Sequence, residues 1–246
     1  MLAVMFGFTF TGRAASPDSL MMKANAAYDH QLYDSAVNLY QKVLETGVES
    51  PGLYYNLGNA YFRLKEIPSA ILYYEKAKKL SPNDPDILYN LNMANTMIVD
   101  KIDKVPELFI KRWWNYFYNL FDADTWAVVS LICFALLVLM AGLFLRAENR
   151  RVRKTAFFTG LLFILLTLGS FGLASQRSYY TKNHTEAIVF TPAVTVKSSP
   201  SANSVDLFVV HEGTKIKLMD EVDNWVKIRI QNGSIGWLPV SAIRKI

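Results

Sequence analysis

Two stretches of the chain carry no charge at all: residues 125–145 and 155–174, 21 and 20 residues long. A helix rises about 1.5 Å per residue, so each would span roughly 30 Å, the thickness of a bilayer core. The pattern predicts two transmembrane helices, 124–146 and 155–176, with Asp124 placed to cap the first. Residues 16–105 follow a different rule. Their apolar positions recur at helical spacing, and the series repeats after 34 residues: Ala36 and Ala70, Tyr40 and Tyr74, Val43 and Ala77, Tyr54 and Leu88, Leu57 and Leu91. From residue 184 onward the period falls to two. Short apolar runs at 187–190, 194–196, 206–209, 215–219, 225–230 and 234–238 alternate with turn-rich clusters. Among these, Asn232-Gly233 is the signal for a two-residue type I′ hairpin. Six strands in so few residues predict a small closed barrel over 184–246. The expected architecture is a multidomain membrane protein: an α-helical solenoid, a two-helix hairpin and a small all-β barrel.

Two further segments fit this plan. Residues 2–10 are apolar and precede Gly12-Arg13-Ala14-Ala15, so 1–15 is similar to a signal peptide without its basic start. A frayed N-terminus is the other reading. Residues 106–123 concentrate aromatics, with Trp113, Trp114, Tyr116 and Tyr118 the residues expected at the membrane interface. Such rings suit the head-group layer, apolar in body and polar at the tip. The alternative is a helix packed on the solenoid.

Composition sharpens the topology. The chain is 52% apolar and 19% charged, with a net charge of +5. Four of those five charges lie in residues 146–154, where Arg146, Arg150, Arg151, Arg153 and Lys154 face one Glu148. The positive-inside rule makes 147–154 a cytoplasmic loop. Both soluble parts then lie across the membrane, in the periplasm if this is a bacterial inner-membrane protein. Outside that loop no basic patch remains, which argues against nucleic acid as a partner. The single Cys133 lies inside the first apolar run and excludes a disulfide framework. His30, His184 and His211 stand in separate segments without Cys or carboxylate at ligand spacing. No metal, cofactor or catalytic constellation is expected, and the chain reads as a non-enzyme.

The 34-residue repeat resembles the tetratricopeptide repeat (TPR). Its second copy runs Tyr54, Leu57, Gly58, Tyr61, Ala70, Tyr74, Ala77, Pro82, with Ser50-Pro51 starting its first helix. Gly58 and Ala70 would let two helices approach, with Tyr61 and Tyr74 between them. The resemblance implies a partner-binding groove lined by Asn25, Tyr28, Asn56, Asn59, Phe62, Arg63, Tyr89 and Asn90. In a subclass that clamps peptide carboxylates, the asparagine positions match Asn25 and Asn56. The cationic positions fall on Met21, Asp86 and Asn90, so an acidic C-terminus is not the implied ligand. The alternative use of these asparagines is bonding to helix backbone inside the solenoid.

The terminal segment is similar to the bacterial SH3 (SH3b) family. It carries Val196-Lys197-Ser198-Ser199-Pro200, Gly213-Thr214, Trp225-Val226-Lys227-Ile228 and Asn232-Gly233 followed by Gly236-Trp237-Leu238. The resemblance implies an SH3-like barrel that binds peptidoglycan or peptide. Trp225 and Trp237 are its candidate ligand face, or else simply core and rim. The order of modules resembles the BatE-type members of the bacterial aerotolerance (Bat) family. That implies assembly with von Willebrand A-type proteins and a MoxR-type ATPase at the membrane, in oxygen or stress tolerance. The expected function is a membrane-anchored scaffold, with cell-wall tethering through SH3b as the alternative.

Overall fold

The computed structural model describes residues 16–101, 108–183 and 185–246. The signal-like residues 1–15, the junction 102–107 and His184 lie outside the described residues.

Five helices form the repeat region: α1 (Pro17–Asp29), α2 (Tyr33–Glu45), α3 (Pro51–Arg63), α4 (Ile67–Leu80) and α5 (Pro85–Asn95). The 34-residue period governs their ends as well as their cores. Ser16, Ser50 and Asp84 cap α1, α3 and α5, each followed by proline. A cap oxygen accepts an orphan amide, and proline wastes no donor at the first helical position. The turns between paired helices rest on Gln31 and Lys65, both left-handed with φ of 61° and 63°. At Gly58 a Cβ would lie 2.6 Å from the Tyr74 ring, so only hydrogen leaves room for that ring between α3 and α4.

A short aromatic helix, α6 (Phe109–Tyr118), leads into α7 (Ala123–Arg146) and α8 (Arg150–Lys182). Both long helices are apolar and long enough to cross a membrane. They pack on each other, with Ser130 donating to the Thr167 carbonyl at 3.2 Å. Their outer faces meet no protein among the described residues: Leu131, Leu165 and Phe171 stay 67%, 63% and 63% exposed. The basic loop is shorter than expected. Arg146 ends α7, and Arg150, Arg151, Arg153 and Lys154 form the opening turns of α8, leaving 147–149 as the connection. Long cationic side chains do not interrupt a helix, so charge marked the turn without marking its ends.

The terminal domain has seven strands, not six: β1 (Glu186–Val189), β2 (Ala193–Lys197), β3 (Asp206–His211), β4 (Lys215–Val222), β5 (Trp225–Arg229), β6 (Ile235–Pro239) and β7 (Ile243–Lys245). They form one SH3-like sheet in the order β3-β2-β6-β5-β4-β1-β7. The expected closed barrel is therefore corrected to an open sheet, because β3 and β7 end it without pairing to each other. The short β7 pairs with β1 and had too few residues to show alternation. The Asn232-Gly233 expectation is also corrected. Only Gly233 is left-handed there, and its amide donates to the Ile230 carbonyl in a longer loop. A type I′ turn needs both central residues left-handed. The tight two-residue turn is Asp223-Asn224, between the paired Val222 and Trp225.

Candidate functional site

The groove of the helical region is built on a repeated polar ladder. The Tyr40 hydroxyl donates to Asn25 Oδ1 at 2.7 Å, and Asn56 Nδ2 donates to the same oxygen at 3.2 Å. One repeat later, Tyr74 donates to Asn59 Oδ1 at 2.7 Å and Asn90 Nδ2 donates to it at 2.8 Å. Asn90 also reaches the Tyr55 hydroxyl at 3.0 Å. Each rung joins a second helix to two successive first helices, so the asparagines set the spacing of α1, α3 and α5. Burial, with Tyr28 and Asp29 nearby, pushes the Tyr40 phenol up to about 12, and burial likewise raises Tyr74. Both phenols stay protonated donors at neutral pH.

The asparagines thus bond to side chains inside the solenoid rather than to helix backbone. Their positions still open on the groove. One concavity of about 330 Å³ is lined by Tyr28, Asn59, Phe62, Arg63 and Asn90. An adjoining one of about 310 Å³ is lined by Asn25, Tyr28, Asn56 and Asn59. Tyr89 is 65% exposed and lines neither hollow. Seven of the eight expected groove residues are therefore gathered along one surface, while Tyr89 stands apart on α5.

The SH3-like sheet presents Trp225, Lys227 and Trp237 on the face opposite its core, since Val226, Ile228 and Leu238 between them are buried. Lys227 Nζ lies 5.9 Å from the Trp237 ring centre. Lys197 pairs with Asp206 and so ties the start of the 198–204 loop to β3.

The interface aromatics divide. Trp113, Trp114 and Tyr116 are exposed, but Tyr118 is buried, which corrects its expected role. Its hydroxyl donates to the Gln176 carbonyl at 3.4 Å, and the Arg177 guanidinium lies 5.4 Å from its ring centre. Tyr118 is a packing residue that joins α6 to the end of α8.

A junction that sequence reasoning missed lies between the two soluble domains. Ile188 and Ile246 of the sheet belong to the same apolar core as Leu57, Ile71 and Tyr74. At Gly213 a Cβ would fall 2.5 Å from Ile98, so the Gly213-Thr214 pair seats directly on the end of the repeats. Beside it, Asp100 accepts from the His211 amide (2.8 Å), meets His211 Nδ1 (2.7 Å) and accepts from Thr214 Oγ1 (2.8 Å). His211 therefore gains a carboxylate from 111 residues away. Thr214 bonds to that carboxylate and not to the imidazole, so the trio is a clasp rather than a hydroxyl activated by histidine. Burial opposes ionisation of Asp100, but the bonds from His211 and Thr214 outweigh it and hold its carboxyl below the usual value. Lys215 bridges Glu75 of α4 (2.9 Å) and Glu186 of β1 (2.7 Å). Burial disfavours its charge, yet the two carboxylates win and raise its pKa. Lys79 adds bonds to the Asn183 and Ile246 carbonyls, both at 3.2 Å.

These features define a two-module protein: a helical repeat with an open groove, and an SH3-like sheet docked on α4 and the segment after α5. Comparison with known families gives each module a name. Residues 21–85 match the tetratricopeptide repeat family and residues 192–243 match the bacterial SH3 domain family. No curated protein matches the chain.

Proposed function

We propose that the chain is a non-enzymatic, membrane-anchored adaptor whose TPR groove binds a protein partner while the SH3b domain holds the groove in a fixed attitude. The observation that carries this reading is the side from which the domains meet. SH3b contacts α4 and the segment after α5, and none of the eight groove residues is buried by it. In this reading α7 and α8 cross the bilayer, the cationic turn stays cytoplasmic, and both binding modules face the periplasm. The module order supports membership of a Bat-type envelope assembly with von Willebrand A-type proteins and a MoxR-type ATPase. Purification of the tagged full chain from native membranes tests this. A von Willebrand A-type or MoxR-type protein is expected to co-purify, and to be lost in an Arg63→Glu variant. Absence of both protein types from the wild-type eluate would remove the assembly reading.

The second reading, tethering to peptidoglycan, draws on the outward Trp225–Lys227–Trp237 face. Co-sedimentation of the solubilised full chain with purified cell wall separates the two. Retention that disappears in Trp237→Ala supports tethering, and no retention removes it.

A further inference from the structure

A cavity of about 760 Å³ lies where α4, α6, the end of α8 and the sheet converge. Six of its lining residues are cations: Lys78, Lys79, Lys111, Arg177, Lys215 and Lys217. Among the described residues Glu75 and Glu186 are the lining carboxylates, and Lys215 already bridges them. Lys79 donates to the Asn183 carbonyl and to the main-chain oxygen of Ile246, and Arg177 donates to the Lys79 carbonyl and the Asn119 side chain. The ammonium groups of Lys78 and Lys217 have no ion-pair or hydrogen-bond partner among the described residues. Burial and the nearby Lys76 and Lys215 push the Lys79 pKa down, with Glu186 opposing. Like charges gathered in a recess repel unless an anion joins them.

The position of the cavity narrows the choice of anion. Asn119, just before α7, and Gln176, just after the uncharged run of α8, both line it. These residues mark the same end of the two apolar helices, so the recess opens at the level of lipid phosphates. Trp114 also lines it, and an indole suits that layer. We propose that this cavity binds a phosphate-bearing anion, supplied by the head group of an anionic phospholipid. The site would fasten the docked TPR–SH3b unit to the membrane surface at a defined height. It differs from a diffuse basic surface, because the cations come from four separate elements and converge.

The inference rests on α7 and α8 entering a bilayer, and the test keeps the two apart. The full chain is reconstituted into nanodiscs of phosphatidylcholine with or without phosphatidylglycerol. Detergent-solubilised protein is titrated in parallel with dihexanoyl-phosphatidylglycerol, dihexanoyl-phosphatidylcholine and inorganic phosphate, with bound adducts counted by native mass spectrometry. Phosphatidylglycerol is expected to be retained over phosphatidylcholine. Affinity should fall about fivefold for each of Lys78→Gln and Lys217→Gln. Arg112→Gln, an exposed cation on α6 outside the cavity, should change nothing. Equal retention by inorganic phosphate keeps the phosphate chemistry but moves its source to solution. No preference among the three probes, or an equal loss in Arg112→Gln, overturns the site. Entry into both discs without preference breaks only the lipid assignment, whereas failure to enter either disc breaks the membrane reading with it.

Discussion

The groove and the domain junction are both held by polar groups, but they are assembled in opposite ways. In the groove, each rung pairs one bond within a repeat with one bond to the next repeat. Tyr40 with Asn25 recurs as Tyr74 with Asn59, and Asn56 with Asn25 recurs as Asn90 with Asn59. At the junction nothing recurs. Asp100 meets His211 and Thr214, and Glu75 meets Lys215, across more than a hundred residues of chain. The ladder is uncharged and leaves surface open, while the junction is charged and closes it. A repeat can propagate its own spacing through identical rungs. A contact between unlike domains has to be specified once, by groups that match nowhere else.

The comparison can be broken first at the ladder. Tyr74→Ala removes a buried ring and a rung together, and should cost about 3–5 kcal/mol. The thermal midpoint of the detergent-solubilised chain, followed by circular dichroism, should fall by many degrees. A shift comparable to that of a surface substitution would mean the ladder does not hold the repeats. At the junction, Lys215→Ala leaves Glu75 and Glu186 facing each other without a cation. An expected loss of about 2 kcal/mol should appear as faster amide exchange in β1 and α4 together. Faster exchange in β1 alone would mean that the Glu75 bond contributes little.

Asp100 gives a smaller, pH-dependent effect. Its folded pKa lies below its unfolded value, so its contribution is complete above about pH 5. The contribution fades as pH falls through the folded value, below about pH 4. The protection factor of the His211 amide, which donates to Asp100, should therefore fall at acid pH in the wild type. In Asp100→Ala it should already be low at neutral pH, at a cost of about 1–2 kcal/mol. A His211 amide that remains protected in that variant would remove the clasp from the account. The smallest effect belongs to the groove rim. Arg63→Glu should change stability by less than about 0.5 kcal/mol while abolishing partner binding. Loss of both stability and binding would place this residue in the structure rather than at the interface.

The same contrast explains what could be read in advance. Gly58, Ala70, Tyr74 and Ser50-Pro51 were visible because a 34-residue period aligns residues that do the same work. The period also held Asn25, Asn56, Asn59 and Asn90, but their tyrosine partners looked like space-filling rings. The hydroxyl's role needed coordinates. In the sheet, Val226, Ile228 and Leu238 announced the core face by alternation. The three residues of β7 were too few to alternate, and the order that leaves β3 and β7 unpaired is a property of long-range pairing. The Gly213-Thr214 pair was legible as a family motif, yet its docking on Ile98 and Asp100 left no local trace. Tyr118 sat among interface aromatics in sequence, and only the neighbouring Arg177 shows why it turns inward. Local spacing encodes elements and repeats; charge pairs across domains have no period to betray them.

The central claim is that TPR and SH3b form one rigid body with the groove facing away from the joint. The most direct measurement is a pulsed electron-spin distance between labels at Asn38→Cys on α2 and Asp220→Cys on β4, both exposed positions, in a Cys133→Ala background. The account predicts a single narrow distribution at neutral pH that broadens in Asp100→Ala, Lys215→Ala. A distribution that is already broad in the parent protein, and unchanged by those substitutions, would contradict it.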